Sequence, residues 1–156
     1  MFNAAEWLVD RHVSDGRGDR VAFFSDDRPL TYAGLQRATW AAAGMLAAVG
    51  VEPGDRVLMV VRDEAAFPAV FLGGLRMGAI PVPVSTMLRA SDVAVLAADS
   101  EAVAVVVSAP YVGFLPEVVA AAGSWLRAVL VVGATPMMPT MPTMPTMQPS
   151  TSGCRC

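Results

Sequence analysis

Residues 29–61 read "PLTYAGLQRATWAAAGMLAAVGVEPGDRVLMVV", and this run decides the fold. Thr31 stands where a helix cap belongs, and Leu30 before it can meet Leu35 in the pairing of a hydrophobic staple. Leu35, Ala38, Ala42, Met45, Leu46 and Val49 recur at helical spacing. A helix over about 32–49 is therefore predicted, stopped by Gly50. "VEPGD" then turns the chain into "RVLMVV" at 56–61, apolar without alternation, as a strand covered on both faces must be. A helix that passes through a short turn into such a strand begins a mostly parallel α/β sheet.

Downstream the unit repeats. A helix from about 65 to 77 ends at Gly78, the strand "AIPVPV" occupies 79–84, a helix 90–99, the strand "AVAVVV" 102–107, a helix about 111–122, and "AVLVV" 128–132. Strands separated by helices of this length argue βαβ crossovers. Pro81 and Pro83 cannot donate to a ladder, so their strand belongs at an edge or beside a bulge. Upstream, "NAAEWLVDRHV" at 3–13 predicts a helix that Asn3 caps with Glu6 in capping-box position, its Trp7, Leu8 and Val13 facing the core. "VAFFS" at 21–25 and "PLTY" form a hairpin around Asp26, Asp27 and Arg28.

This pattern stops near 134. Beyond Ala134 there is no Ala, Val, Ile, Leu, Phe, Trp or Tyr, while five of the 12 prolines and half of the 10 methionines fall there, many in "MPTMPTMPTM" at 138–147. Such a segment buries no core. The expected organisation is a domain over 1–134 and a disordered low-complexity Met/Pro/Thr tail over 135–156.

Composition narrows the function. The chain has 156 residues, and 54% of them are hydrophobic, enough for one sizeable core. The net charge of −3 comes from 14 acids against 11 arginines scattered singly, which gives no stripe for nucleic acid. Lysine is absent, so no mobile ammonium is available to a phosphate. Glu6, Asp10 and Arg11 interrupt any leader-like apolar stretch, and the apolar windows 67–88 and 102–123 are broken by Arg76, Glu117 and prolines. A cytoplasmic protein with no membrane span is expected.

Two stretches, "PLTYAGLQRATWAAAGMLAAVGVEPGDRVLMV" and "FLGGLRMGAIPVPVSTMLRASDVAVLAADS", resemble the first two core motifs of the AMP-forming acyl- and aryl-CoA ligases, members of the adenylate-forming superfamily. The opening "NAAEWLVDRHVSDGRGDRVAF" is most similar to the benzoate-CoA ligase branch. The resemblance covers about residues 3–133. It implies the start of the large domain of an enzyme that uses ATP, Mg²⁺ and coenzyme A to convert an acid to its thioester through an acyl-adenylate. It also implies a later Ser/Thr/Gly-rich phosphate loop ending in Pro-Lys-Gly and a C-terminal lysine, neither of which this sequence contains. Thr151, Ser152 and Gly153 match three letters of such a loop, but Cys154, Arg155 and Cys156 follow. The expectation is a truncated ligase, inactive alone, with no bound cofactor. Gly34 stands where the family often has Glu, which removes the capping box with Thr31 at a cost of about 1 kcal/mol.

Few residues remain as candidates for chemistry. Arg89 follows "VPVSTML" and precedes a helix N-terminus, where backbone donors and a guanidinium can together hold a phosphate. The resemblance implies a contact with the nucleotide end of coenzyme A there, against the plainer reading of a solvated arginine. His12, the single histidine, suits a surface or helix-capping role, and the pairs Asp26-Asp27 and Asp63-Glu64 suit a hairpin turn and a helix start. No catalytic or metal-binding residue is assigned within 1–134. Met138, Met141, Met144 and Met147 with two nearby cysteines could take Cu(I), although a straight polyproline helix spaces successive sulfurs roughly 9 Å apart. Apolar surface left uncovered by so short a domain leads to self-association, and the uncovered sheet could also serve a non-catalytic interaction module.

Overall fold

The computed structural model describes residues 3–25 and 28–133. The Asp26-Asp27 turn, the division near 134 and every expectation about the tail lie outside the described residues.

Asn3 caps the first helical segment as its position suggests, its Oδ1 accepting the N–H groups of Ala5 at 3.0 Å and Glu6 at 3.4 Å. A π-helical turn over Glu6–Asp10 then runs into α1, Arg11–Ser14. The wider turn changes the angular spacing of the side chains. Ala5 and Val9 are buried, whereas Trp7 and Leu8 are half exposed, which corrects the core face expected from a regular α-helical period. Val9 packs with Ala5, Leu35 and Leu72.

The antiparallel hairpin forms from β1, Val21–Ser25, and β2, Arg28–Thr31. It delivers Thr31 to its cap, where Oγ1 accepts the Gly34 N–H at 3.1 Å, and α2 runs over Tyr32–Ala48. Its buried residues are Leu35, Thr39, Ala42, Ala43 and Leu46, while Met45 is 49% exposed. The apolar stripe read from the sequence is thus turned toward Thr39 and Ala43. Gly73 of α3, Ala66–Met77, is the cause, because a Cβ there would lie 2.8 Å from Ala42 Cβ and 3.0 Å from both Ala43 N and Thr39 O. Only glycine lets the two helices meet so closely. On the same helix, a Cβ at Gly74 would lie 2.8 Å from the Pro81 ring.

Among the described residues four parallel strands form the sheet: β3, Arg56–Val60; β4, Ile80–Pro83; β5, Ala104–Ser108; and β6, Ala128–Val132, in the order β4-β3-β5-β6. The expected α/β alternation is present. Helix α4, Ala90–Asp99, and α5, Leu115–Ala122, complete it. A 3₁₀ segment, Ala109–Phe114, replaces the expected first turn of α5 because Pro110 and Pro116 remove donors from that stretch.

Alternation along β3 divides the core. Val57 and Met59 join Ala42, Leu46, Val70 and Val106 under α2 and α3. Leu58 and Val60 join Val93, Ala97, Val105, Val107 and Val118 under α4 and α5. Strand β4 lies at an edge, and the hydrogen bonds from Ile80 N to Asp55 O (2.8 Å) and Val84 N to Met59 O (3.0 Å) point its even-numbered donors inward. Pro81 and Pro83 therefore face outward, where a missing N–H costs the ladder nothing.

The N-terminal segment is fastened over α2 and α3 by charge. Arg76 donates to both oxygens of Asp10 at 2.9 and 2.8 Å, Gln36 donates to Asp10 Oδ1 at 3.0 Å, and the Arg76 guanidinium lies 4.1 Å from the Trp40 ring centroid. Only 6% of the Arg76 side chain is exposed. Burial by itself would raise the Asp10 carboxyl, but the hydrogen bonds from Arg76 and Gln36 and the Arg76 charge outweigh it and hold the group below its ordinary value.

Candidate functional site

In an open parallel sheet, ligands bind beyond the carboxyl ends of the strands, where successive crossovers diverge. Here the chain passes from β3 outward to β4, then back across to β5 and on to β6, which places the divergence between β3 and β5. Ser108 closes β5 at that point. Fully buried, its hydroxyl accepts the Arg62 N–H at 3.0 Å and donates to Glu64 Oε1 at 2.8 Å. Gly133, just beyond β6, approaches from the other side: a Cβ there would lie 3.2 Å from Glu64 Oε1. One carboxylate thus gathers the ends of β3, β5 and β6.

Beside this junction an open groove of about 300 Å³ lies between the ends of β3 and β4. Val61, Asp63 and Phe67 line one wall and Val84, Ser85, Thr86 and Met87 the other. Phe67 is supported by stacking on Phe71 at a centroid distance of 6.1 Å. The Ser85 hydroxyl accepts the Met87 N–H at 3.2 Å and so shapes the second wall. The mixture of aromatic, aliphatic, hydroxyl and carboxylate groups can accept a ligand with apolar and hydrogen-bonding parts.

Arg89 caps α4 just beyond the groove wall. Its N–H donates to Asp92 Oδ2 at 3.2 Å, its Nε lies 3.8 Å from the same carboxylate oxygen, and its side chain is 88% exposed. The guanidinium is therefore open to solvent, with Asp92 as its neighbouring carboxylate. The acid pair Asp63-Glu64 divides instead of capping a helix: Asp63 lines the groove, and Glu64 is engaged by Ser108. His12 lies on α1, stacked on Tyr32 at 4.2 Å and held below its ordinary pKa by partial desolvation and by the charges of Arg17 and Arg11. It shares no element with the groove. The Glu64–Ser108 pair was not anticipated, though the polar serine closing "AVVVS" was its signal.

Fold and site together define an α/β unit with a groove at the carboxyl edge of its sheet, and the comparisons with known proteins make the class specific. Residues 9–141 match the family model described as AMP-binding enzyme. The chain is 38% identical over 137 residues to a 4-hydroxybenzoate-CoA/benzoate-CoA ligase of Rhodopseudomonas palustris, covering 86% of this chain and 25% of that protein. It is 33% identical over 147 residues to a benzoate-CoA ligase of Thauera aromatica, covering 85% and 28%. The crystal structure of a benzoate CoA ligase from Burkholderia xenovorans superposes with a TM-score of 0.71 at 30% identity, over 84% of this chain and 26% of that one. An anthranilate CoA ligase in complex with anthranoyl-AMP shares the fold at a TM-score of 0.77 and 23% identity. The chain belongs to the AMP-forming acyl- and aryl-CoA ligase family of AMP-binding enzymes. It spans about a quarter of the length of the curated relatives it matches.

The family in general depends on ATP, Mg²⁺ and CoA. No helix among the described residues is long and apolar enough to cross a membrane.

Proposed function

We propose that residues 1–134 supply the first part of the AMP-binding domain of an aryl-acid–CoA ligase, that the groove beside Arg89 receives part of coenzyme A, and that residues 135–156 form an appended tail. The observation that carries the reading is the 38% identity to a 4-hydroxybenzoate-CoA/benzoate-CoA ligase across 137 residues. Arg89 and the N-terminus of α4 would hold a phosphate of the CoA nucleotide, while the Phe67 and Met87 walls would shelter its apolar portion. The donor set suits a phosphate, since the guanidinium is 88% exposed two residues beyond Met87 of the groove wall. It does not suit the triphosphate of ATP, because the sequence contains no lysine and 11 dispersed arginines. In this reading the chain alone does not activate a carboxylic acid.

The reaction class and the inactivity are tested together. Purified chain with benzoate, ATP and Mg²⁺ is expected to give no carboxylate-dependent ATP–pyrophosphate exchange, and exchange by an uncontaminated sample overturns the proposal. CoA titration tests the groove: Arg89→Ala should weaken binding about tenfold, and an unchanged affinity removes Arg89 from it.

A second reading is favoured by the uncovered apolar surface of β6 and the outer helices. Val95, Val119, Trp125, Val129 and Val131 are all substantially exposed. The chain then self-associates in the cytoplasm through this surface, a non-catalytic role that concentration-dependent sedimentation measures. A Cu(I) site on Met138, Met141, Met144 and Met147 is the remaining alternative, and Cu(I) titration of the chain with those residues changed to Leu decides it.

A further inference from the structure

We propose that Ser108 is a positioning residue for the groove: by holding Arg62 and Glu64 it fixes the turn that carries Asp63 and Phe67 into the groove wall. CoA affinity then depends on a hydroxyl that no ligand touches. The inference rests on the reading above that the groove receives part of coenzyme A, and it names what keeps that groove in shape.

Strand β5 reads "AVVVS", and every residue of it is buried. A hydroxyl at 0% exposure in such a strand has lost its water and must find partners inside the protein. Ser108 finds both in one distant turn. Its Oγ accepts the Arg62 N–H at 3.0 Å and donates to Glu64 Oε1 at 2.8 Å, across 46 and 44 positions of sequence. Its single donor and one of its acceptor lone pairs are thus spent on two residues that flank Asp63.

That turn joins β3 to α3. Val61 belongs to the core shared with both covering helices. Arg62 O then accepts the Glu64 N–H at 2.8 Å, and Glu64 O accepts the Phe67 N–H at 2.9 Å. Asp63 stands between the two residues that Ser108 holds, and Phe67 hangs from the second of them. Val61, Asp63 and Phe67 together are one wall of the groove. Ala65 occupies the N-cap position of α3 and has no side chain to cap it, so the entry of the helix relies on the Glu64 clasp.

The opposite wall is built differently. Ser85 accepts the N–H of Met87, two residues along, in a bond confined to that wall. Loss of the Ser108 hydroxyl instead releases a wall from the sheet. The Glu64 carboxylate is also confined on its far side, since a Cβ at Gly133 would lie 3.2 Å from Oε1.

Calorimetric titration of CoA and amide hydrogen exchange, both on the full chain, test the role. Ser108→Ala should raise the CoA dissociation constant about tenfold and speed exchange of the Arg62 and Glu64 amides by at least about tenfold, with the Leu58 and Val106 amides unchanged. Glu64→Leu should act in the same way. Glu64→Gln, whose side-chain carbonyl still accepts the Ser108 hydroxyl, should bind CoA as the unaltered chain does. If Ser108→Ala fails to fold, the two Glu64 variants decide. No CoA binding by the unaltered chain overturns the groove reading and this proposal with it. Binding that Arg89→Ala weakens but Ser108→Ala and Glu64→Leu leave unchanged overturns the positioning role alone. So does an equal loss in Glu64→Gln with exchange unaltered, which assigns Glu64 a direct effect of charge on the ligand. Faster exchange that extends to Leu58 and Val106 overturns it too, by showing that Ser108 only stabilises the sheet.

Discussion

Under α2 and α3 the sheet is covered by helices that touch through a glycine, and those helices are covered in turn by the N-terminal segment, with Asp10 and Arg76 closing the join. Under α4 and α5 there is, among the described residues, one helical layer, and Val95, Leu96, Val112, Val119 and Trp125 remain on its outer surface. Both faces draw on the same central strand, β3, and on the same supply of Val, Leu and Ala. What separates them is a second covering layer, which demands close helix contacts and a charged fastening on one side and leaves the other tolerant.

The largest expected effect breaks the close face. Gly73→Leu forces α2 from α3 and should cost about 3 kcal/mol or more in urea unfolding, whereas Gly113→Ala, with open space around the added Cβ, should change stability by no more than about 0.5 kcal/mol. Equal effects at the two positions would remove the packing argument.

Next is the fastening. Arg76→Leu leaves a largely covered Asp10 carboxylate without its cation and should cost about 2 kcal/mol at neutral pH, a value reduced from that of a fully buried pair because Asp10 keeps some exposure. The folded Asp10 carboxyl lies below its unfolded value of about 3.9. Its contribution is therefore complete above that pH and disappears as pH falls through the folded value. Urea midpoints from neutral pH downward should show that loss in the unaltered chain and not in Arg76→Leu.

A smaller effect of opposite sign comes from Thr39. Its hydroxyl is buried at the α2–α3 contact without a hydrogen-bond partner among the described residues, so Thr39→Val, which keeps the shape, should stabilise by about 1 kcal/mol. The smallest belongs to the tolerant face. Val95→Ser with Leu96→Ser should move the midpoint by less than about 0.5 kcal/mol while reducing the binding of a hydrophobic dye.

Much of the fold was legible in local chemistry. Gly50 and Gly78 adopt the left-handed turns that end α2 and α3, the prolines put β4 at an edge, and the unbroken apolar run at 56–61 became the central strand. Three features were not legible because each depends on a partner distant in sequence or on an irregular turn. Trp7 and Leu8 moved outward when a π-helical turn altered the phase. Thr39 became core because Gly73 approaches it. Glu64 met Ser108 across 44 positions, whereas its own neighbourhood suggested only a helix start. The place of Arg89 before α4 was legible, but the groove exists only once β3 and β4 align their carboxyl ends.

The position of β3 has a kinetic consequence. Its neighbours β4 and β5 both follow it in sequence, and each can join it only after a helical crossover has closed a loop, so β3 is the strand that unites β4 with the β5-β6 pair. A folding nucleus that includes Leu58 and Met59, with β6 at its periphery, is the expected outcome. A lesion at Leu58 should slow refolding, whereas one at Val131 should chiefly hasten unfolding, so the strand left at the edge governs how long the assembled domain survives without governing how quickly it forms.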